Sequence, residues 1–259
     1  MFFSPFEQFE LQIFLPISFK FFFGNPETLS QLNLSFTNSS LYLIIALVVF
    51  SFVSKTVYTN NVLNANTFFN TLFVGLYKLV MSIVVSNIGS ANLKYFPFVA
   101  TLFIFISSLN LIGMLPYNFT VTSHISITFG LAFSICVALF VLGLHLHGIK
   151  FFKSFLPEGT PLALAPLLIT IEFVSYLSHS ISLSVRLFAN MLSGHALLKI
   201  LSGFVASLMA VGGIYTIVGV APLLVVFILT GLEFCIAVLQ AYVFTILTCI
   251  YLKDAIYPH

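Results

Sequence analysis

The sequence predicts an all-α integral membrane protein with about five membrane helices and one amphipathic surface helix, the last two membrane helices being long and strongly tilted. Three observations carry that prediction. Charged residues make up only 6% of the 259 residues, where a soluble domain carries about a quarter. Hydrophobic residues make up 60%, and the mean hydropathy is +1.14. The apolar residues are also gathered into runs close to the roughly 20 that a bilayer requires. The same composition excludes a water-facing globule, and it excludes disorder, which needs low hydrophobicity and high net charge. A net charge of +2 without a basic run excludes a nucleic-acid partner.

The first 40 residues read as an N-terminal segment and residues 41–259 as a single membrane domain. The opening MFFSPFEQFELQIF has no positive stretch and carries Glu7 and Glu10, unlike a secretory signal. Residues 24–40 are polar and turn-rich. Apolar runs follow at 41–58, 95–115 and 123–146, with Asn60, Asn61 and Asn64 marking the exit from the first. Residues 66–88 differ. Thr67, Asn70, Thr71, Gly75, Lys78, Ser82 and Ser86 form one polar stripe on an otherwise apolar helix, the pattern of a helix lying along the membrane surface. The segment 148–160, with Gly148, Pro157 and Gly159, interrupts the pattern as a loop.

The last hundred residues hold too much apolar helix for simple spans. Residues 162–202 alone make roughly 60 Å of helix at 1.5 Å per residue, against a hydrocarbon core about 30 Å thick. Gly212 and Gly213 offer a bend and Pro222 a kink, and 222–252 adds roughly 45 Å more. Two such helices must tilt or break.

Lysine placement orients the chain. If the first span runs from outside to inside, Lys55, Lys94, Lys150, Lys153 and Lys253 all fall inside. Lys20, Glu7, Glu10 and Glu27 fall outside. This satisfies the positive-inside rule. The three cysteines, Cys136, Cys235 and Cys249, lie in apolar stretches without C-x-x-C spacing, so neither a disulfide framework nor a metal site is expected. His145 and His147 flank a loop and read as interfacial residues. The skew to 32 Phe with no Trp and a single Arg is what an AT-rich, organelle-like genome imposes on codon choice.

Ionisable residues inside spans cost at least about 2.5–3.5 kcal/mol at the centre and are functional candidates by default. The helix over 162–202 contains Glu172, His179, Arg186, His195 and Lys199. Glu172, Ser175, His179, Ser182, Arg186, Asn190 and Ser193 recur every three or four residues and share one face. His195, nine residues beyond Arg186, falls roughly opposite. Lys199 can snorkel. The next helix carries Glu233 and Gln240 seven residues apart, with Asp254 at its end. Plainer readings stand beside these. Arg186 could pair with Glu172, although roughly 21 Å of helix separates them, or with Glu233. His179 could be a packing residue, and Asp254 an interfacial charge. Arginine keeps its charge at any accessible pH, while Glu and His exchange protons there. The pattern therefore suggests a fixed charge barrier set in a proton path.

The stretches SLSVRLFANMLSGHALLKIL (182–201) and GLEFCIAVLQAYVFTILTCIYLKDAI (231–256) resemble subunit a of the rotary ATP synthase membrane sector (Fo), in its mitochondrial form. LPEGTPLALAPLLITIEFVSYLSHSISL (156–183) and YFPFVATLFIFISSLNLIGMLPY (95–117) fit the same family. SPFEQFE is similar to the mature N-terminus of fungal members, which implies loss of the first three residues. The R-L-x-x-N-x-x-x-G-H and Q-A-Y-V-F pieces carry the resemblance most specifically.

The resemblance implies a fold in which the last two helices, 162–252, form a tilted hairpin wrapped around a rotating c-ring. It implies that Arg186 faces the ring carboxylates, with Asn190 and Gln240 orienting it. Glu172 would line the matrix-side half-channel and His195 with Glu233 the half-channel from the intermembrane space. Asp254 would be a channel residue of unassigned side. The chain would be a multi-pass protein of the mitochondrial inner membrane, its N-terminus towards the intermembrane space and its C-terminus towards the matrix. Implied partners are the c-ring, other Fo and peripheral-stalk subunits, and membrane lipids. Without a G-x-x-x-x-G-K-[ST] motif no nucleotide is expected to bind directly, and no catalytic residue, cofactor or metal is expected. Two rival readings remain at this stage: a haem or copper subunit of a respiratory complex, and a stand-alone ion transporter. His179 and His195 are 16 residues apart, wider than the usual spacing of paired haem ligands. No internal repeat of the transporter kind is evident.

Overall fold

The computed structural model describes residues 7–16, 18–22, 29–33, 35–59, 68–115, 118–148 and 165–257. The loop expected at 148–160 falls almost wholly outside this range. So do the polar residues Asn60, Asn61, Asn64 and Thr67, and the first three residues. Six α-helices run through the described residues: α1 (Asn38–Thr59), α2 (Phe68–Ile88), α3 (Phe96–Gly113), α4 (Ile125–His147), α5 (Ala165–Val211) and α6 (Ile214–Ile256). The first four follow the apolar runs to within a few residues. Helices over Asn92–Gly113, Ile125–His147, Pro166–Val211 and Tyr215–Ile256 are long and apolar enough to cross a membrane, whereas Asn38–Ser51 and Val74–Ile88 are shorter apolar helices.

The structure corrects the sequence reading at two places. The long helix does not stop at Ser202 but continues to Val211, giving 47 residues, and α6 begins at Ile214, giving 43. Gly203 alone is too weak a breaker, since one helical glycine costs only about 1 kcal/mol. The stop comes where two glycines adopt left-handed φ angles of 75° and 64° at Gly212 and Gly213, a conformation that side chains resist. Pro222 lies inside α6, which loses one ladder bond there and carries on.

The second correction concerns the N-terminal segment. Strand β2 (Ser18–Phe22) pairs antiparallel with β3 (Leu29–Asn33), and β1 (Ile13–Leu15) with β4 (Phe36–Thr37). The Phe-rich SFKFF stretch favours a strand, a local signal weaker than the turn-rich composition around it. The amide of Asn38 also donates to the Gln12 carbonyl at 3.1 Å. The start of the chain is thereby fastened to the first turn of α1.

Helices α5 and α6 pack along each other as an antiparallel hairpin; α4 lies on α5, α2 and α3 lie on α6, and α1 lies on α3. Val84, Phe103, Ile106, Leu187, Phe244 and Leu252 are among the most buried side chains of the main core, which joins α2, α3, α4, α5 and α6. On α2 the polar stripe is exposed at Thr71, Lys78, Ser82 and Ser86, and Val80, Ile83, Val84 and Ile88 are buried. The amphipathic reading of that helix therefore matches its packing. The outer surfaces of α5 and α6 expose Ile171, Val174, Ile217, Phe227 and Leu239. Apolar exposure on this scale suits lipid or a protein partner rather than water.

Candidate functional site

Arg186 stands exposed on α5 between Leu183 and Leu187, which are both buried. Those two leucines key this turn of α5 into the core, so the intervening position is left to face outward. Among the described residues the guanidinium makes no ion pair. Pairing with Glu172 or with Glu233, left open by the sequence, does not occur there.

One turn further along α5, Asn190 reaches back into the hairpin. Its amide Nδ2 donates to Gln240 Oε1 at 3.0 Å. Gln240 is 4% exposed and its Nε2 has no partner among the described residues. Asn110 of α3, wholly buried, donates from Nδ2 to the Ala237 carbonyl at 3.1 Å. This bond holds α3 against the stretch of α6 between Glu233 and Gln240. The sequence reading passed over Asn110, whose only signal was an amide in the middle of an apolar run.

A second pair lies further along the hairpin. His195 Nε2 is 3.7 Å from Glu233 Oε1, and the side chains are 16% and 7% exposed. Both carboxylate oxygens and the imidazole Nε2 lack a hydrogen-bond partner among the described residues. Buried polar atoms seldom remain unpaired, so this is a place for water or a transferable proton. Glu233 and Gln240 are seven residues apart, roughly 10 Å along α6. The hairpin thus holds two polar stations in series, His195–Glu233 and Asn190–Gln240.

Gly194 is the residue whose role the sequence did not disclose, although it stands inside the quoted motif. A Cβ at that position would collide with the Glu233 carboxylate, lying 2.9 Å from its Cδ. The glycine gives the carboxyl group its seat. Gly194→Ala is expected to push Glu233 away from His195 while leaving the amount of folded protein in the membrane unchanged. A structure of the variant and its abundance in the membrane check this.

Glu172 is exposed on α5, two turns from His179. His179 Nδ1 donates to the Ser175 carbonyl at 2.7 Å, and its ring meets that of Tyr251 edge-on at 5.3 Å. Tyr176 also meets Tyr251, at 6.3 Å, and its hydroxyl donates to the Cys136 carbonyl at 3.0 Å, tying α5 to α4. These contacts bring the end of α6 alongside the start of α5. Asp254, one turn beyond Tyr251 and exposed, therefore belongs to the Glu172 end of the hairpin, an assignment helical periodicity could not make.

A cavity of about 870 Å³ reaches the other station, with His195, Leu198, Lys199 and Ser202 of α5 on one wall and Val226 and Thr230 of α6 nearby. Asn38, Leu41 and Tyr42 of α1 complete it together with Asn118, Phe119 and residues of the N-terminal segment.

Apolar helices of spanning length, with a His–Glu pair held between two of them and a cavity reaching it, define a multi-span membrane protein with ionisable groups inside its helix hairpin. The family described as "ATP synthase A chain" matches residues 39–253. The chain is similar to "ATP synthase subunit a" of Chondrus crispus, with 49% identity over 256 residues covering 99% of this chain and 97% of the relative. Similar matches are "ATP synthase subunit a" of Marchantia polymorpha, at 42% with 99% of each covered, and that of Rhodospirillum rubrum, at 45% with 99% of each covered. The chain belongs to the ATP synthase subunit a family. Membership carries the general role of that family: a non-catalytic membrane subunit of the proton-translocating Fo sector.

Proposed function

We propose that this chain supplies two offset half-channels to a rotating ring of carboxylate-bearing subunits in the mitochondrial inner membrane. The observation that carries the reading is the buried His195–Glu233 pair beside the 870 Å³ cavity, set apart along the hairpin from an exposed Arg186. A proton enters from the intermembrane-space side, passes His195 and Glu233, and neutralises a ring carboxylate. The neutral group can then turn through lipid, which an ionised one resists. After nearly a full rotation the carboxyl reaches the Glu172 side and releases its proton towards the matrix, with Asp254 at that exit. Asn190 and Gln240 hold the hairpin together beside Arg186 and orient it. Arg186 favours the ionised carboxylate and blocks direct passage between the half-channels.

In this reading the exposed apolar faces of α5 and α6 meet the ring and lipid, other Fo and peripheral-stalk subunits cover further surface, and α2 lies along the membrane face. The N-terminus faces the intermembrane space and the C-terminus the matrix. Residues 41–259 act as one membrane domain. Isolation of the complex from native membranes is expected to bring down a ring of small hairpin subunits, with no haem absorption. Glu172→Gln is expected to slow proton conduction through the membrane sector after the catalytic portion is stripped away, with assembly unchanged. Absence of the ring, or unaltered conduction in the Glu172→Gln sector, would overturn the reading.

A further inference from the structure

The 870 Å³ cavity beside His195 is walled in part by the chain's own N-terminus: Gln8, Glu10, Gln12 and Phe14 all line it. These residues do not lie there as loose chain. Ile13 pairs with Thr37 and Leu15 with Phe36, and the Asn38 amide bonds to the Gln12 carbonyl. The strand pairing carries the segment across the entrance to α1 and holds it there. Two polar atoms among the lining residues, Gln8 Nε2 and Asn38 Oδ1, are buried without partners among the described residues, as is His195 Nε2. Unpaired polar atoms around a space large enough for many waters mark a wet chamber rather than a packing defect.

We propose that the N-terminal segment is the outer wall of the proton-access vestibule, and that Glu10 is its proton-collecting carboxylate. The proposal rests on the reading that His195 and Glu233 receive the incoming proton. Among the described residues four titratable groups line the chamber, namely Glu10 on the N-terminal segment, Tyr42 on α1, and His195 and Lys199 on α5. Glu233 of α6 lies beyond His195, and His124 stands behind the Phe119 ring, its own ring stacked on it at 5.1 Å. Tyr42 is engaged with Asn118 Oδ1, at 3.4 Å. Among the described residues Glu10 and Lys199 are thus the two charges of opposite sign in the lining. A carboxylate at the mouth raises the local proton concentration and an ammonium lowers it. Both act on the supply of hydronium to His195 and neither takes part in the transfer to the ring. Lys199, which needed no function as a snorkelling residue, acquires one here.

The test uses the whole complex in energised membranes, with synthesis followed against the pH of the intermembrane-space side. Glu10→Gln is expected to lower the pH of half-maximal synthesis by about half a unit, the effect of one charge several ångströms away in a watery chamber. Lys199→Gln is expected to raise it by a similar amount. Neither is expected to change the rate at saturating acidity or the hydrolysis of ATP by the detached catalytic portion. A second arm places a cysteine at Glu10 or at Ile13, an exposed neighbour outside the lining. A bulky membrane-impermeant thiol reagent added from the intermembrane-space side is expected to block synthesis in Glu10→Cys and to spare it in Ile13→Cys. Unshifted pH profiles, or a labelled Glu10→Cys that synthesises normally, would overturn the proposal. If Glu233→Gln also left synthesis intact, the failure would lie in the underlying assignment of the proton path and not in the N-terminal wall.

Discussion

Replacing Arg186 with alanine is expected to abolish proton-driven ATP synthesis while the complex still assembles. The position is exposed, flanked by buried Leu183 and Leu187, and makes no ion pair among the described residues. Its loss therefore removes no packing and breaks no internal bridge. What goes is the one fixed positive charge on the face that also carries Glu172 and Asn190. A ring carboxylate passing an alanine has no cation to favour its ionised form. On the proposed function it would stay protonated past the barrier, and protons would cross between the half-channels without turning the ring. Two measurements made together check this: ATP synthesis should be lost, and passive proton conductance of the membrane should not fall with it. Arg186→Lys is expected to be defective too, because an ammonium lacks the planar fork of a guanidinium and sheds its proton more readily when desolvated. Normal synthesis in Arg186→Ala membranes would remove Arg186 from the mechanism altogether.

Glu233→Gln should have the second largest effect. The carboxyl group is buried, sits 3.7 Å from His195 and has no hydrogen-bond donor among the described residues. It is also the one carboxyl group on the inner face of α6. Glutamine preserves its volume and removes its ability to carry a proton. Synthesis is expected to fall on the order of a hundredfold, the lower end of what a positioned proton-transfer group contributes. The complex should assemble normally, since an amide in place of an unpaired buried carboxyl group adds no charge to bury. His195→Ala is expected to slow synthesis less, because water in the adjoining cavity can reach the carboxyl group directly. The two side chains act as one station, so the double variant should be no slower than Glu233→Gln alone. Fully additive losses in that cycle would mean that His195 and Glu233 serve separate paths.

Much of this site was legible along the chain. Single helices expose their own faces through periodicity. The 3.6-residue repeat put Glu172, His179, Arg186 and Asn190 on one side of α5 and His195 on another; in the structure Glu172 and Arg186 are exposed, while Asn190 and His195 both reach partners on α6. The reading weakened wherever two helices had to be compared. It could suggest an Arg186–Glu233 pair but not exclude it, and it could not place Asp254. The contacts of Tyr251 with Tyr176 and His179 settle which end of α5 Asp254 accompanies. Gly194 stood in the quoted motif as an unexplained letter. Its meaning depends on Glu233, 39 residues away in sequence and directly against it in space.

Charge count, hydropathy and spacing were enough to define a membrane protein with ionisable groups buried against their cost, because desolvation acts on each residue where it stands in its own helix. The length of the last two helices was enough to require that they tilt or break, because bilayer thickness is a fixed dimension. Packing between elements distant in sequence set the rest. It joined Asn190 to Gln240, seated Glu233 under a glycine and drew residues 8–14 across the cavity that leads to His195. Such contacts depend on which faces fit together in three dimensions, and no local pattern records that choice.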